Sequence, residues 1–238
     1  MKKFLENNKI FFETIAATLI GIMAIIVSVS QSWVAYRTLT LDKLRYMPEI
    51  GASIVIDKNI CGPKSWALRV SNSTGIAYHV SYHPIAFLYI HQLQVLQLGE
   101  KPNSSIHLKK TKLPLVGFFT DFEYDTSVTK GLIGTTCTNN LWAMDDVEHK
   151  FNKYETSKDL STTSYVIMFL KVNYEDQFVR RRTEYFRFTS GGQAVPITTQ
   201  AGSTLFRKYR EMKKSHESLQ YGKSSARDIL NLWRKLAV

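Results

Sequence analysis

The chain of 238 residues carries 31 Lys and Arg against 20 Asp and Glu, a net charge of +11, with 44% hydrophobic and 12% aromatic residues. That content suffices for a packed core and excludes an intrinsically disordered chain. The charge is uneven: residues 1–47 hold six basic and three acidic groups (net +3), residues 48–199 hold sixteen and fourteen (net +2), and residues 200–238 hold nine and three (net +6).

After a short tail, residues 1–13, comes a 23-residue stretch from Thr14 to Tyr36 without a charged side chain, closed by Glu13 and Arg37. As a helix it would be roughly 34 Å long, enough for the roughly 30 Å hydrocarbon core of a bilayer. Phe11 and Phe12 at one end, and Trp33 and Tyr36 at the other, suit the membrane–water interface. Met1-Lys2-Lys3 and Ser28-Val29-Ser30 also fit a cleaved signal peptide. The apolar region exceeds the usual ~7–15 residues, however, so an uncleaved single anchor is expected. Ala17, Gly21, Ala24 and Ser28 put small residues on one helix face, where two membrane helices can approach closely and form a homo-oligomer. Residues 37–47 continue as a helical stalk, which Pro48 ends by disfavouring helical geometry at Met47. Lys2, Lys3 and Lys9 before the span balance Arg37, Lys43 and Arg45 after it. Glu6 and Glu13 tip the expectation toward a cytoplasmic C-terminal domain.

Between residues 48 and 199 the periodicity becomes extended. Ile50, Ala52, Ile54 and Ile56 alternate with Gly51, Ser53, Val55 and Asp57; Trp66, Leu68 and Val70 mark a second strand. The turn Asn72-Ser73-Thr74-Gly75 leads into Ile76–Val80. Tyr165–Val172 reads as a buried strand that Glu175-Asp176-Gln177 folds back into Phe178–Phe188 as a hairpin. The fold class predicted is mainly β with α additions: an antiparallel β-sandwich or barrel, with a helical insertion near residues 141–154. Cys61 and Cys137 lack metal-ligand spacing; they could pair if the domain faced an oxidising compartment, but two thiols are too few to diagnose one, and two unpaired structural thiols are the expectation.

Glu13-Thr14-Ile15-Ala16-Ala17, Pro48-Glu49-Ile50, Val70-Ser71-Asn72-Ser73-Thr74-Gly75-Ile76-Ala77 and Val172-Asn173-Tyr174-Glu175-Asp176 occur in an order that resembles a broad group of bacterial single-pass membrane proteins carrying a small β-sandwich. The resemblance implies a bacterial inner-membrane location and a sandwich fold, and no chemistry.

His79 and His83, four apart, would share a strand face, but a metal needs a third ligand and His91 would have to fold back to supply it. Asp121, Glu123 and Asp125 alternate without the glycine and distal glutamate of a calcium loop, and are read as a solvated strand face. No phosphate loop or catalytic triad is legible, so no cofactor, metal or catalytic residue is expected. The basic clusters are the better candidates for anionic ligands: Lys109, Lys110 and Lys112, and Arg180 and Arg182 beside Arg181. Their competing role is protection of a sheet edge.

In the tail, residues 200–238, Leu205, Tyr209, Met212, His216 and Leu219 form a stripe beside Arg207, Lys208, Arg210, Lys213 and Lys214. A second helix sets Ile229, Trp233 and Leu236 beside Arg227, Arg234 and Lys235. Such basic amphipathic helices either pack on the sandwich or lie on an anionic membrane with Trp233 at the interface. A protein partner, or less readily nucleic acid, would also suit them. The functional expectation is a non-catalytic, membrane-anchored binding or scaffolding protein of the bacterial inner membrane. The alternatives are a membrane effector of a phage-exclusion or defence system and a metal-dependent enzyme.

Overall fold

The computed structural model describes residues 8–62, 65–96, 104–119, 126–128, 131–138 and 160–236; for 44, 93–96, 104–109, 126–128 and 160–162 it describes the backbone alone. The expected insertion at 141–154 and the acidic positions Asp121, Glu123 and Asp125 lie outside the described residues. Residues up to Met47 form one compact unit and residues from Pro48 another.

The first unit is a single helix, α1 (Lys9–Arg45), of 37 residues. It is long and apolar enough to cross a membrane, and none of its most apolar stretch is buried. Lipid offers no hydrogen bonds, and the threonine hydroxyls of α1 donate to carbonyls one turn back within the helix. Thr14 donates to the Ile10 carbonyl at 2.8 Å and Thr18 to that of Thr14 at 2.8 Å. At the far end the Arg37 guanidinium lies 5.0 Å from the Trp33 ring centroid. Ala17, Gly21, Ala24 and Ser28 are all exposed along one face.

The second unit contains β1 (Ile50–Val55), α2 (Lys58–Cys61), β2 (Ala67–Asn72), β3 (Ala77–Leu96), β4 (Ser104–Val116), β5 (Thr126–Val128), β6 (Gly131–Cys137), β7 (Leu160–Glu175), β8 (Arg181–Phe188), β9 (Ala194–Ile197), α3 (Thr199–Lys214), β10 (Leu219–Gln220) and α4 (Ala226–Leu236). A three-stranded sheet runs β1-β2-β6; the larger sheet runs β10-β4-β3-β7-β8-β9, with β5 joined to the start of β3. Pairing is antiparallel except for β10 beside β4.

The central strands are buried on both faces. Ala86, Leu88, Ile90, Met168, Leu170 and Val172 share a core with Ile50, Ile54, Leu68, Val70 and Ile133 of the small sheet, while Ile85, Phe87, Ile167 and Phe169 form a second core with Tyr185 and Phe206. Double burial accounts for the unbroken apolar run from Val166 to Leu170. Ala77 and Val80 are both fully buried, which strict alternation does not allow. The register shifts between Tyr78 and Ser81, and His79 takes φ 50°. This bulge turns the strand over. His79 and His83 straddle it, so their spacing no longer puts them on one face.

Three sequence expectations are corrected. Cys61 and Cys137 are not unpaired thiols but form a disulfide across 76 residues, joining α2 to the end of β6. Asp57 caps α2 through the backbone N–H groups of Asn59 and Ile60 and also pairs with Arg69. Trp233 is not at a surface: it is 3% exposed, packed in the inter-sheet core with Ile229 and Leu230. The stripe of the first tail helix is shifted as well. Helix α3 starts at Thr199 behind a Thr198 cap and buries Gly202 and Phe206. His216 lies beyond its end at φ 61°, and Leu219 belongs to a strand beside Leu115. Of the roles weighed for the tail (packing on the sandwich, a membrane surface, or a protein or nucleic-acid partner), packing on the sandwich is observed for both helices.

Candidate functional site

Helix α3 is seated tightly on the larger sheet. Phe206 packs against Tyr185 with ring centroids 5.5 Å apart, and Tyr209 meets Phe87 edge-on at 5.4 Å. The Tyr209 hydroxyl donates to the Leu115 carbonyl at 3.3 Å. A Cβ at Gly202 would overlap the Tyr185 side chain, so glycine is what lets the helix come this close.

This seating brings two parts of the sequence together. Lys112 of β4 stands opposite Tyr89 of β3, its Nζ 5.9 Å from the Tyr89 ring centroid. Lys110 is two residues back on the same strand and therefore on the same face. Helix α3 contributes Lys208. Lys112 and Lys208 line two adjoining cavities of about 440 and 500 Å³. The first is walled by Phe87 and Leu205, with Thr198 and Thr204 at its rim; the second also takes in Lys110, Met212 and Leu236.

Among the described residues no carboxylate forms an ion pair with these ammonium groups. Glu217 also borders the second cavity, but it is held by Lys235 at 3.0 Å. Among the described residues Lys110, Lys112 and Lys208 form no ion pair. The Lys112 ammonium is held below its ordinary pKa, first by burial against the groove walls and then by the positive charges of Arg187 and Lys208. Groups that repel one another and lack a counter-charge favour a bound anion. The apolar walls extend that preference to an anion with a hydrocarbon or aromatic part.

Of the other basic candidates, Arg180 lies 5.9 Å from the Phe178 ring centroid. Arg182 pairs with Asp176 at 3.2 Å and its neighbour Arg181 with Glu175 at 3.3 Å. Arg207 faces Glu211 one turn on at 3.9 Å, while Arg210, Lys213, Lys214 and Arg234 are exposed. Lys109 is placed by its backbone alone. Among the described residues no group of three His, Cys, Asp or Glu side chains is placed to hold a metal ion. Sequence reasoning missed Tyr89, Phe87 and Arg187. The alternation of Lys110 and Lys112 was a usable signal, but exploiting it required the β3–β4 register. No protein-family model and no curated protein matches this chain.

Proposed function

We propose that the protein is a bacterial inner-membrane binding protein, tethered by α1, whose β domain takes an anionic ligand into the groove beneath α3 and does not catalyse. The observation that carries this reading is the set Lys110, Lys112 and Lys208, gathered from strand and helix around two cavities whose carboxylate among the described residues, Glu217, is already held by Lys235. Its test is calorimetric titration of inorganic pyrophosphate into the full chain in nanodiscs. Lys112→Ala with Lys208→Ala should weaken binding at least tenfold, whereas Arg181→Ala should leave it unchanged. Equal binding by both variants would remove the groove from consideration.

The Cys61–Cys137 disulfide supports placing the domain on the oxidising side of the membrane, because such bonds persist outside the reducing cytosol. It therefore argues for the opposite orientation to the one toward which Glu6 and Glu13 tip the otherwise even Lys and Arg balance, and against cytoplasmic nucleic acid as the ligand. Alkaline phosphatase fused after Val238 should be active in a bacterial host, with Cys61 and Cys137 refractory to alkylation. An inactive fusion with alkylatable thiols would reverse the orientation.

A further inference from the structure

The turn between β7 and β8 presents apolar side chains to solvent from a rigid base. Phe178 is 37% exposed and Val179 78%. Val179 sits at φ 58°, a left-handed conformation that a β-branched residue avoids and that persists only when its surroundings impose it. Asp176, 1% exposed, imposes it. Its Oδ1 accepts from the N–H groups of Phe178 at 2.9 Å and Arg180 at 3.0 Å. Its Oδ2 accepts from Arg182, and its carbonyl from the Val179 N–H at 2.8 Å. The strain holds an apolar pair outward that a relaxed turn would have no reason to display.

The location of the turn points to what it meets. Asn72 accepts from the Glu49 N–H and donates to the Gly75 carbonyl, so the point where the chain enters the domain lies beside the 72–75 turn. Leu132, 56% exposed, is opposite Ser71, and Tyr78 is opposite Glu175. Leu132, Tyr78, Phe178 and Val179 thus occupy the end of the domain at which the chain arrives from α1, and Arg180 and Arg181 flank them. Apolar and aromatic tips ringed by arginine match an anionic bilayer interface, where the rings enter the headgroup boundary and the guanidinium groups meet phosphate. The residues from Arg37 to Arg45 rise about 14 Å as helix, a tether short enough to keep this end near the leaflet.

We propose that this end of the domain docks on the anionic surface of the membrane that α1 spans, with Phe178 and Val179 inserted at the interface. The test places an environment-sensitive fluorophore on the full chain in phosphatidylglycerol-containing nanodiscs, at Phe178→Cys, at Leu132→Cys, and at Ile56→Cys on the opposite end. The Cys61–Cys137 bond is verified by mass in each variant. A lipid-borne quencher should quench positions 178 and 132 at least threefold more than position 56. Arg180→Glu with Arg181→Glu should halve the difference or more. Equal quenching at all three positions, meaning that the tip stays in water and awaits a protein surface instead, would overturn the proposal.

Discussion

The two basic clusters of the β domain use the same kind of residue to opposite ends. In the β7–β8 hairpin, Arg181 and Arg182 are matched one for one by Glu175 and Asp176. The Arg182 charge is consumed in closing the turn on buried Asp176, whereas the Arg181 side chain, 91% exposed, keeps its outer face toward solvent. Under α3, Lys110, Lys112 and Lys208 are gathered with no ion-pair partner among the described residues, the carboxylate of the described cavity lining, Glu217, being held by Lys235. Charge that the fold neutralises is structural, and charge that it leaves over is available for binding. Counting basic residues along the chain cannot separate the two, because the distinction lies in what the opposing strand or helix supplies.

The largest effect should come from the consumed side. Asp176→Ala leaves two backbone N–H groups without their acceptor and Arg182 without its partner, and releases Val179. Breaking a buried pair of this kind costs about 3–4 kcal/mol, to be read from urea unfolding of the full chain in nanodiscs. Asp176→Asn keeps an acceptor but loses the charge, and should cost about half as much. Burial opposes ionisation of Asp176, but the N–H groups of Arg180 and Phe178 and the Arg182 guanidinium outweigh it and hold the carboxyl below its ordinary 3.8. The stability it contributes is therefore complete above that value and lost as pH falls through the lower folded one. The Asn variant should flatten that acid limb. An Asp176→Ala variant as stable as the parent would erase the contrast between the clusters.

A second substitution tests what gathers the other cluster. Gly202→Ala gains about 1 kcal/mol of helix propensity but drives a methyl group into Tyr185, an overpacking that costs about 1–3 kcal/mol. The net should be a loss of about 1 kcal/mol. Because α3 must lift to relieve the overlap, pyrophosphate affinity should fall severalfold although no cation has been removed. Unaltered affinity would mean that Lys208 does not need its present place over the sheet.

The sequence carried the sandwich and the hairpin because their signals are local. Alternation at Ile50–Ile56 and the turn at Glu175–Gln177 describe single strands and one reversal. It also carried α1, whose length and lack of charge suffice without any tertiary information. What it could not carry depended on partners distant in the chain. The Cys61–Cys137 pair closes over 76 residues, and only the β2–β6 register, which sets Ala67 beside Cys137, brings the thiols together. Trp233 looked interfacial because a basic amphipathic helix reads the same whether its apolar stripe faces lipid or a sheet. Likewise Lys110 and Lys112 were visible as candidates, but Lys208 could not be joined to them until Gly202 and Phe206 fixed the rotation of α3. The bulge at His79 illustrates the same limit within one strand: a single extra residue reverses which side chains face inward, and composition does not record it.

The smallest effect is the most diagnostic. Burial and then the charges of Arg187 and Lys208 depress the Lys112 pKa, so the folded domain disfavours this ammonium relative to the unfolded chain. The sign follows: the charged lysine destabilises the fold at any pH below its lowered folded value, and stability rises as pH climbs through that value toward the ordinary 10.5. Lys112→Met keeps the stem that packs along Tyr89 and removes the charge. It should therefore stabilise the unliganded protein slightly at neutral pH, by at most about 0.5 kcal/mol because Lys112 is exposed and solvent screens its repulsions, with the gain gone above pH 10.5, where the parent lysine is neutral in both states. The same variant should lose most of its pyrophosphate affinity. A substitution that improves the fold while abolishing binding marks a residue kept at some cost to stability for its ligand. If Lys112→Met instead destabilised the domain to the degree of Asp176→Ala, the groove would be a structural cluster like the hairpin, and the difference between the two would vanish.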